Sequence, residues 1–129
     1  MTHTSPHTIL IIDDNERLIT SYRDFLQEAG LTITTATNGE EGLKKAAQHK
    51  PDLILLDLMM PEMDGLTMLK TLKKDDTLKD IPVMVMTALV NELERDNSLK
   101  AGAVEYIEKV ETEPEQLLHK IRHLLKQAH

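Results

Sequence analysis

The chain has 129 residues, 22 acidic and 15 basic side chains, a formal charge of −7 and no cysteine, so disulfides and thiolate metal sites are excluded. That length suits one domain burying roughly two-thirds of the surface its unfolded form exposes, while the negative charge opposes nonspecific binding to nucleic acid or an anionic membrane. Three aromatics, Tyr22, Phe25 and Tyr106, make no stacking platform; no apolar run nears the roughly 20 residues of a membrane span, and MTHTSPHT lacks the features of a secretory signal, so a cytoplasmic globular protein is expected.

Residues 1–7 are expected to fray, and the first strand is predicted over Thr8–Ile12. Leu18, Ile19, Tyr22, Phe25, Leu26 and Ala29 then form a helical stripe that stops at Gly30, a residue suited to the position just past a helix end. A second strand over Thr32–Ala36 leads to a helix marked by Leu43, Ala46 and Ala47. A third, over Asp52–Leu56, leads to a helix marked by Leu66, Leu69 and Leu72, with Asp64 placed to cap it. After a strand over Pro82–Met86, Asn91 and Glu94 suit the start of a fourth helix. Leu93, Asn97 and Ala101 make a poor apolar stripe there, and this helix is expected to be the least firmly packed. A fifth strand over Val104–Ile107 precedes a helix carrying Leu117, Leu118, Ile121, Leu124 and Leu125, with Thr112 and Glu115 spaced as a capping box and Pro114 in the first turn.

Runs such as Leu53-Ile54-Leu55-Leu56 and Val83-Met84-Val85-Met86 are apolar at every position, as burial on both faces of a parallel sheet requires. The alternation therefore predicts an α/β fold, a five-stranded parallel sheet with five helices spread over both faces; it leaves the strand order open.

In such a sheet every strand ends on one edge, where ligands bind. Asp13, Asp14 and Asn15 follow the first strand, Asp57 the third, Thr87 the fourth and Lys109 the fifth, so residues far apart in sequence converge there. Three clustered carboxylates repel one another unless a hard divalent cation takes their oxygens, and Mg2+ suits a site that must keep room for a phosphate oxygen. A lysine and a threonine hydroxyl would take other phosphate oxygens. An aspartate beside such cations can attack phosphorus, giving an aspartyl phosphate.

Asp13-Asp14, the run LLDLMMPEMDG over residues 55–65, Thr87-Ala88, and AGAVEYIEK over residues 101–109 together resemble the receiver domain of two-component response regulators, across roughly residues 7–127. The resemblance implies a flavodoxin-like, doubly wound sheet of order 2-1-3-4-5. It implies Asp57 as phosphoacceptor, Asp14 as a direct Mg2+ ligand, Asp13 as a ligand through water and Met59 as a ligand through its backbone carbonyl. Thr87 and Lys109 match the phosphate-binding hydroxyl and amine, and Tyr106 the aromatic that reports phosphorylation to the surface of the fourth helix, fifth strand and fifth helix. The implied partners are a sensor histidine kinase or histidine phosphotransfer protein and a downstream protein; the implied protein is a switch, not a metabolic enzyme, and a monomer or weak homodimer. The family usually has a proline, in a cis bond, after the active-site lysine; here that position is Val110, for which a cis bond costs about 2.5 to 4 kcal/mol, so a trans bond and a rearranged loop are expected. Residues 8–127 are expected to form the receiver, with no effector domain after LLKQAH, so output would pass through partners or through a larger protein from which the segment is cut.

Taken singly, these residues have plainer roles: the aspartates as caps or solvated loop ends, Thr87 as a turn residue, Lys109 as a surface charge and Tyr106 as packing. Val110 favours an alternative, a pseudo-receiver that acts as a constitutive interaction module. A phosphohydrolase of haloacid-dehalogenase type would need a second aspartate two positions after the nucleophile, where Met59 stands. His119 and His123 sit one helical turn apart but lack a third ligand at a useful spacing, and Met59, Met60 and Met63 read as adaptable packing or contact surface. The apolar Met59 and Leu89 beside the site offer no group to orient an attacking water, so a long-lived aspartyl phosphate is expected.

Overall fold

The computed structural model describes residues 7–60, 63–88, 91–109 and 113–127. The expectations for residues 1–6, Leu89, Val110 and Thr112 fall outside them. Ten elements alternate along the chain: β1 (Thr8–Ile12), α1 (Glu16–Glu28), β2 (Thr32–Ala36), α2 (Gly39–His49), β3 (Leu53–Leu56), α3 (Gly65–Lys74), β4 (Val83–Thr87), α4 (Glu92–Lys100), β5 (Glu105–Glu108) and α5 (Pro114–Gln127). The strands form one parallel sheet in the order β2-β1-β3-β4-β5. The flavodoxin-like arrangement is thus present.

Strand alternation divides the core in two. Ile9 and Ile11 of β1, Leu53 and Leu55 of β3, and Met84 and Met86 of β4 face one side, packing with Ile19, Tyr22 and Leu26 of α1 and Leu117, Ile121 and Leu125 of α5. Leu10, Ile12, Ile54, Leu56, Val83 and Val85 face the other, against Ala46 of α2 and Met68, Leu69 and Leu72 of α3. Each fully buried leucine or isoleucine contributes about 1.5–3 kcal/mol by leaving water. The outer strands differ: β2 (TITTA) and β5 (EYIE) are partly open, and the glutamates at the two ends of β5 discourage pairing with another sheet.

The helix ends follow local chemistry. Asn15, Asn38, Asp64 and Asn91 cap α1 to α4, each side chain accepting a backbone N–H three residues on. After α1, Gly30 has φ 96°, its N–H donates to the Gln27 carbonyl and that of Leu31 to the Leu26 carbonyl, a Schellman closure at the glycine expected there. At the start of the last helix the Glu113 N–H donates to Gln116 Oε1 at 3.0 Å. Strand limits shift by one residue. Asp52 lies just outside β3, its N–H on the Thr8 carbonyl and its carboxylate accepting the Thr8 N–H, each at 2.8 Å. Pro82 and Val104 precede their strands, and Thr87 and Glu108 complete them.

The fourth helix matches its weak pattern: α4 buries only Ser98, while Leu93 and Leu99 are 67% and 39% exposed. Its C-terminal end is anchored from α3. Lys73 crosses to the loop before β4, donating to the Lys79 and Ile81 carbonyls at 2.9 Å each, and its stem lies where a Cβ on Gly102 would stand.

Candidate functional site

The sheet order sets β1 beside β3, so the residues following them, Asp13 and Asp57, meet at the C-terminal edge; the Asp57 N–H donates to the Ile12 carbonyl at 3.0 Å. Lys109, just past β5, is tied to β4 by its N–H on the Thr87 carbonyl at 2.9 Å. Its side chain reaches back across the edge to Asp13 Oδ2 at 2.6 Å and Asp57 Oδ2 at 3.1 Å. Asp13 and Asp57 are 3% and 4% exposed. A half-buried amine thus bridges two buried carboxylates that follow separate strands.

The remaining oxygens of the pair are held by the main chain. Asp13 Oδ1 accepts the Asn15 N–H at 2.9 Å, and Asp57 Oδ1 accepts the Met59 N–H at 3.1 Å. Burial raises the Asp13 pKa above the ordinary carboxylate value, although its hydrogen bonds to Lys109 and Asn15 pull the other way. For Lys109, burial lowers the amine, but Asp13 and then Asp57 outweigh it and hold the pKa above the usual lysine value. The amine is therefore a fixed positive charge at neutral pH.

Asp14, exposed where Asp13 is buried, completes an acidic group whose ligand atoms all lie within 4.8 Å of one another. Among the described residues this is the one cluster of acidic or histidine side chains spaced to share a cation. An all-oxygen donor set fits a hard divalent ion, whose charge would offset the burial that raises Asp13.

The other residues singled out by sequence occupy distinct places. Thr87 is fully buried as the last residue of β4, and Met59 is 55% exposed beside Asp57. Tyr106 is half-buried on β5; burial and Glu94 raise its hydroxyl pKa, against a lowering hydrogen bond with the Asn91 backbone, which links it to the cap of α4. Tyr22 is buried in the core on α1, so Tyr106 is the aromatic placed between the edge and α4. Asn15, which also follows β1, caps α1.

Gly65, quoted above as the end of the run over residues 55–65 without a role of its own, is a further contributor. Its N–H donates to the Leu58 carbonyl at 3.1 Å, and a Cβ there would stand 2.3 Å from the Asp57 carbonyl oxygen. The start of α3 is thereby laid directly on the main chain of Asp57. The signal was available as the last letter of LLDLMMPEMDG.

Comparison with known proteins agrees with this geometry. A family model of the response regulator receiver domain matches residues 9–122. The chain is similar to the polar-differentiation response regulator DivK of Brucella anthropi, 38% identical over 104 residues that span 81% of this chain and 85% of DivK. It is 39% identical over 101 residues to the alkaline phosphatase synthesis transcriptional regulatory protein PhoP of Bacillus subtilis, covering 78% of this chain and 41% of PhoP. Among solved structures, a CheY-like response regulator receiver domain protein from Methanospirillum hungatei JF-1 superposes with a TM-score of 0.90 at 30% identity, covering 96% of this chain and 97% of that one. With its strand order, its aspartate and lysine edge and these relatives in agreement, the chain belongs to the response regulator receiver domain family of two-component signalling.

Proposed function

We propose that this receiver is a phosphorylation switch whose acceptor is Asp57, charged by a phosphohistidine on a sensor histidine kinase or a histidine phosphotransfer protein. The observation that carries the reading is the Lys109 amine bridging Asp13 and Asp57 at 2.6 and 3.1 Å, on the edge where the strands end. An Asp57 oxygen bonds to phosphorus as the donor's phosphorus–nitrogen bond breaks; the imidazole leaves with the electron pair and takes up a proton. Lys109 needs only to turn from the carboxylate to a phosphoryl oxygen to keep its ion pair, and the Thr87 hydroxyl is assigned to another. Asp13, Asp14, Asp57 and the Met59 backbone carbonyl are the residues that would hold Mg2+, which supplies charge neutralisation at the phosphoryl group.

Output follows from the same rearrangement. As Lys109 and Thr87 re-form their bonds, Tyr106 changes its contact with α4 and the surface of α4, β5 and α5 binds a downstream protein differently. The exposed leucines and single buried residue of α4 support this, because a lightly packed helix costs little to shift. Residues 8–127 act as the receiver unit, in the cytoplasm, as a monomer or weak homodimer, with no catalysis beyond the formation and loss of its own phosphoryl group. No described helix is long and apolar enough to cross a membrane.

The test is the intact mass of the purified chain after incubation with Mg2+ and acetyl phosphate. Wild type gains the mass of one phosphoryl group and Asp57→Asn gains none. A folded wild type that stays unmodified refutes the proposal and leaves the pseudo-receiver as the better description.

A further inference from the structure

We propose that Met59 is an oxidation site through which peroxide shortens the life of the phosphoryl group on Asp57, an inference that rests on the phosphoacceptor role proposed above. Met59 is 55% exposed, whereas Met68, Met84 and Met86 are buried and Met60 and Met63 are packed against the second core cluster. Of the exposed large apolar residues, Leu93, Leu99 and Val104 lie on α4 or just before β5, while Met59 is held at the phosphoacceptor by its own N–H on Asp57 Oδ1 at 3.1 Å. Among the described residues Met59 is therefore the methionine most open to peroxide, and it is the one beside the site.

In the oxidation one peroxide oxygen bonds to sulfur, the O–O bond breaks and water leaves; sulfur loses two electrons and peroxide gains them, and a dithiol-dependent reductase reverses the change. A thioether is a weak hydrogen-bond acceptor, and Met59 in its native form offers nothing to hold a water beside the acyl phosphate. A sulfoxide oxygen accepts strongly. It would hold a water at the flank of the phosphoryl group, where that water's oxygen bonds to phosphorus, the phosphorus–oxygen bond to Asp57 breaks and inorganic phosphate departs. One added hydrogen bond of ordinary strength corresponds to an acceleration of about two- to tenfold. The domain would then lose its signal faster under oxidative conditions with no change in its kinase.

The purified chain is treated with hydrogen peroxide, freed of it and mapped by peptide mass, then phosphorylated with acetyl phosphate and Mg2+ so that the decay of the phosphorylated mass can be followed. Sulfoxide is expected at Met59 ahead of Met60, Met63 and the buried methionines, with the phosphoryl half-life shortened about two- to tenfold. A methionine sulfoxide reductase restores the original half-life. In Met59→Leu the half-life is the same with and without peroxide treatment, and Met59→Gln, which carries a fixed acceptor, decays faster than Met59→Leu without peroxide. Full conversion of Met59 with an unaltered half-life overturns the proposal, as does oxidation of Met68 or Met84 at the same rate as Met59. An untreated chain that never takes up phosphate removes the phosphoacceptor role itself, an outcome distinguished by the sulfoxide map, which is read independently.

Discussion

Gly65→Ala tests how rigidly the fold holds Asp57, because the added methyl would meet main chain and not a flexible side chain. A Cβ built there stands 2.3 Å from the Asp57 carbonyl oxygen and 2.6 Å from Leu58 Cα. Ordinary contact needs about 1 Å more, and close-packed interiors have no slack of that size. The displacement is shared between the start of α3 and the main chain of Asp57 and Leu58, which stretches the Gly65 N–H bond to the Leu58 carbonyl and strains the Asp64 cap. Overpacking of about 1–3 kcal/mol plus a weakened hydrogen bond of about 1 kcal/mol gives a loss of about 2–4 kcal/mol. At about 4 °C per kcal/mol for a chain of this length, the thermal midpoint falls by about 8–16 °C. Thermal melts followed by far-UV circular dichroism measure it, with Gly39→Ala as control, since there the methyl meets side-chain atoms of Met63, Sδ at 2.9 Å and Cβ and Cγ at 3.1 Å, in place of main chain at 2.3 Å. In the same variant the initial rate of acyl-phosphate formation should fall by up to about a hundredfold, because the acceptor is displaced by a fraction of an ångström to 1 Å. A Gly65→Ala midpoint within about 2 °C of wild type, or one matching Gly39→Ala, would refute the claim that α3 is braced on the acceptor's backbone.

Lys109→Met leaves the buried Asp13 and Asp57 carboxylates unpaired and should cost about 3–5 kcal/mol in urea melts without metal; Mg2+ should stabilise this variant more than wild type, since cation and amine neutralise the same oxygens. In wild type, Mg2+ at ten times its dissociation constant should add about 1.4 kcal/mol, a gain that Asp13→Asn largely removes; equal gains in both proteins would dismiss Asp13 as a ligand. Lys73→Met removes the donor from the exposed Lys79 and part-buried Ile81 carbonyls and should cost about 0.5–1.5 kcal/mol. Burial holds the Lys73 amine below its ordinary pKa, against the charge of Asp80, so the folded state sheds this proton before the unfolded one. Wild type should accordingly gain stability relative to Lys73→Met as pH rises through the window just below the ordinary lysine value, and a flat difference would argue against burial as the cause. Lys50, the non-glycine residue with φ 42° at the end of α2, should become about 0.5–1 kcal/mol more stable as Lys50→Gly, read as a shift in the urea midpoint.

What could be read from the sequence was what depends on neighbours along the chain. The all-apolar runs of β3 and β4 demand burial on both faces, and the polar residues that end them have to lie on one edge, so Asp13, Asp57, Thr87 and Lys109 could be grouped without coordinates. Gly30, Asp64 and Asn91 carried their capping roles in residue type alone. What could not be read depends on pairs distant in sequence. Nothing in the letters says that the amine of Lys109 rests closer to Asp13 than to Asp57, or that Lys73 reaches past its own helix to pack under Gly102. Strand limits slipped by one residue at several ends, and periodicity does not show where a ladder stops; at Asp52 the carboxylate accepts the Thr8 N–H of the neighbouring strand. The strand order was implied by family resemblance, since apolar periodicity carries the same signal whichever neighbour a strand has.

The edge strand β2 has a practical use. It lies at the opposite border of the sheet from β5, separated from β3 by β1, and its first residue, Thr32, faces solvent. The sequence contains no cysteine, so a thiol introduced at Thr32 would be unique and could carry a fluorophore without a competing label. A dye there rides on the half of the sheet that holds neither Lys109 nor Tyr106, and would serve as a stationary reference against which a second, differently coupled reporter near α4 measures distance changes in single molecules.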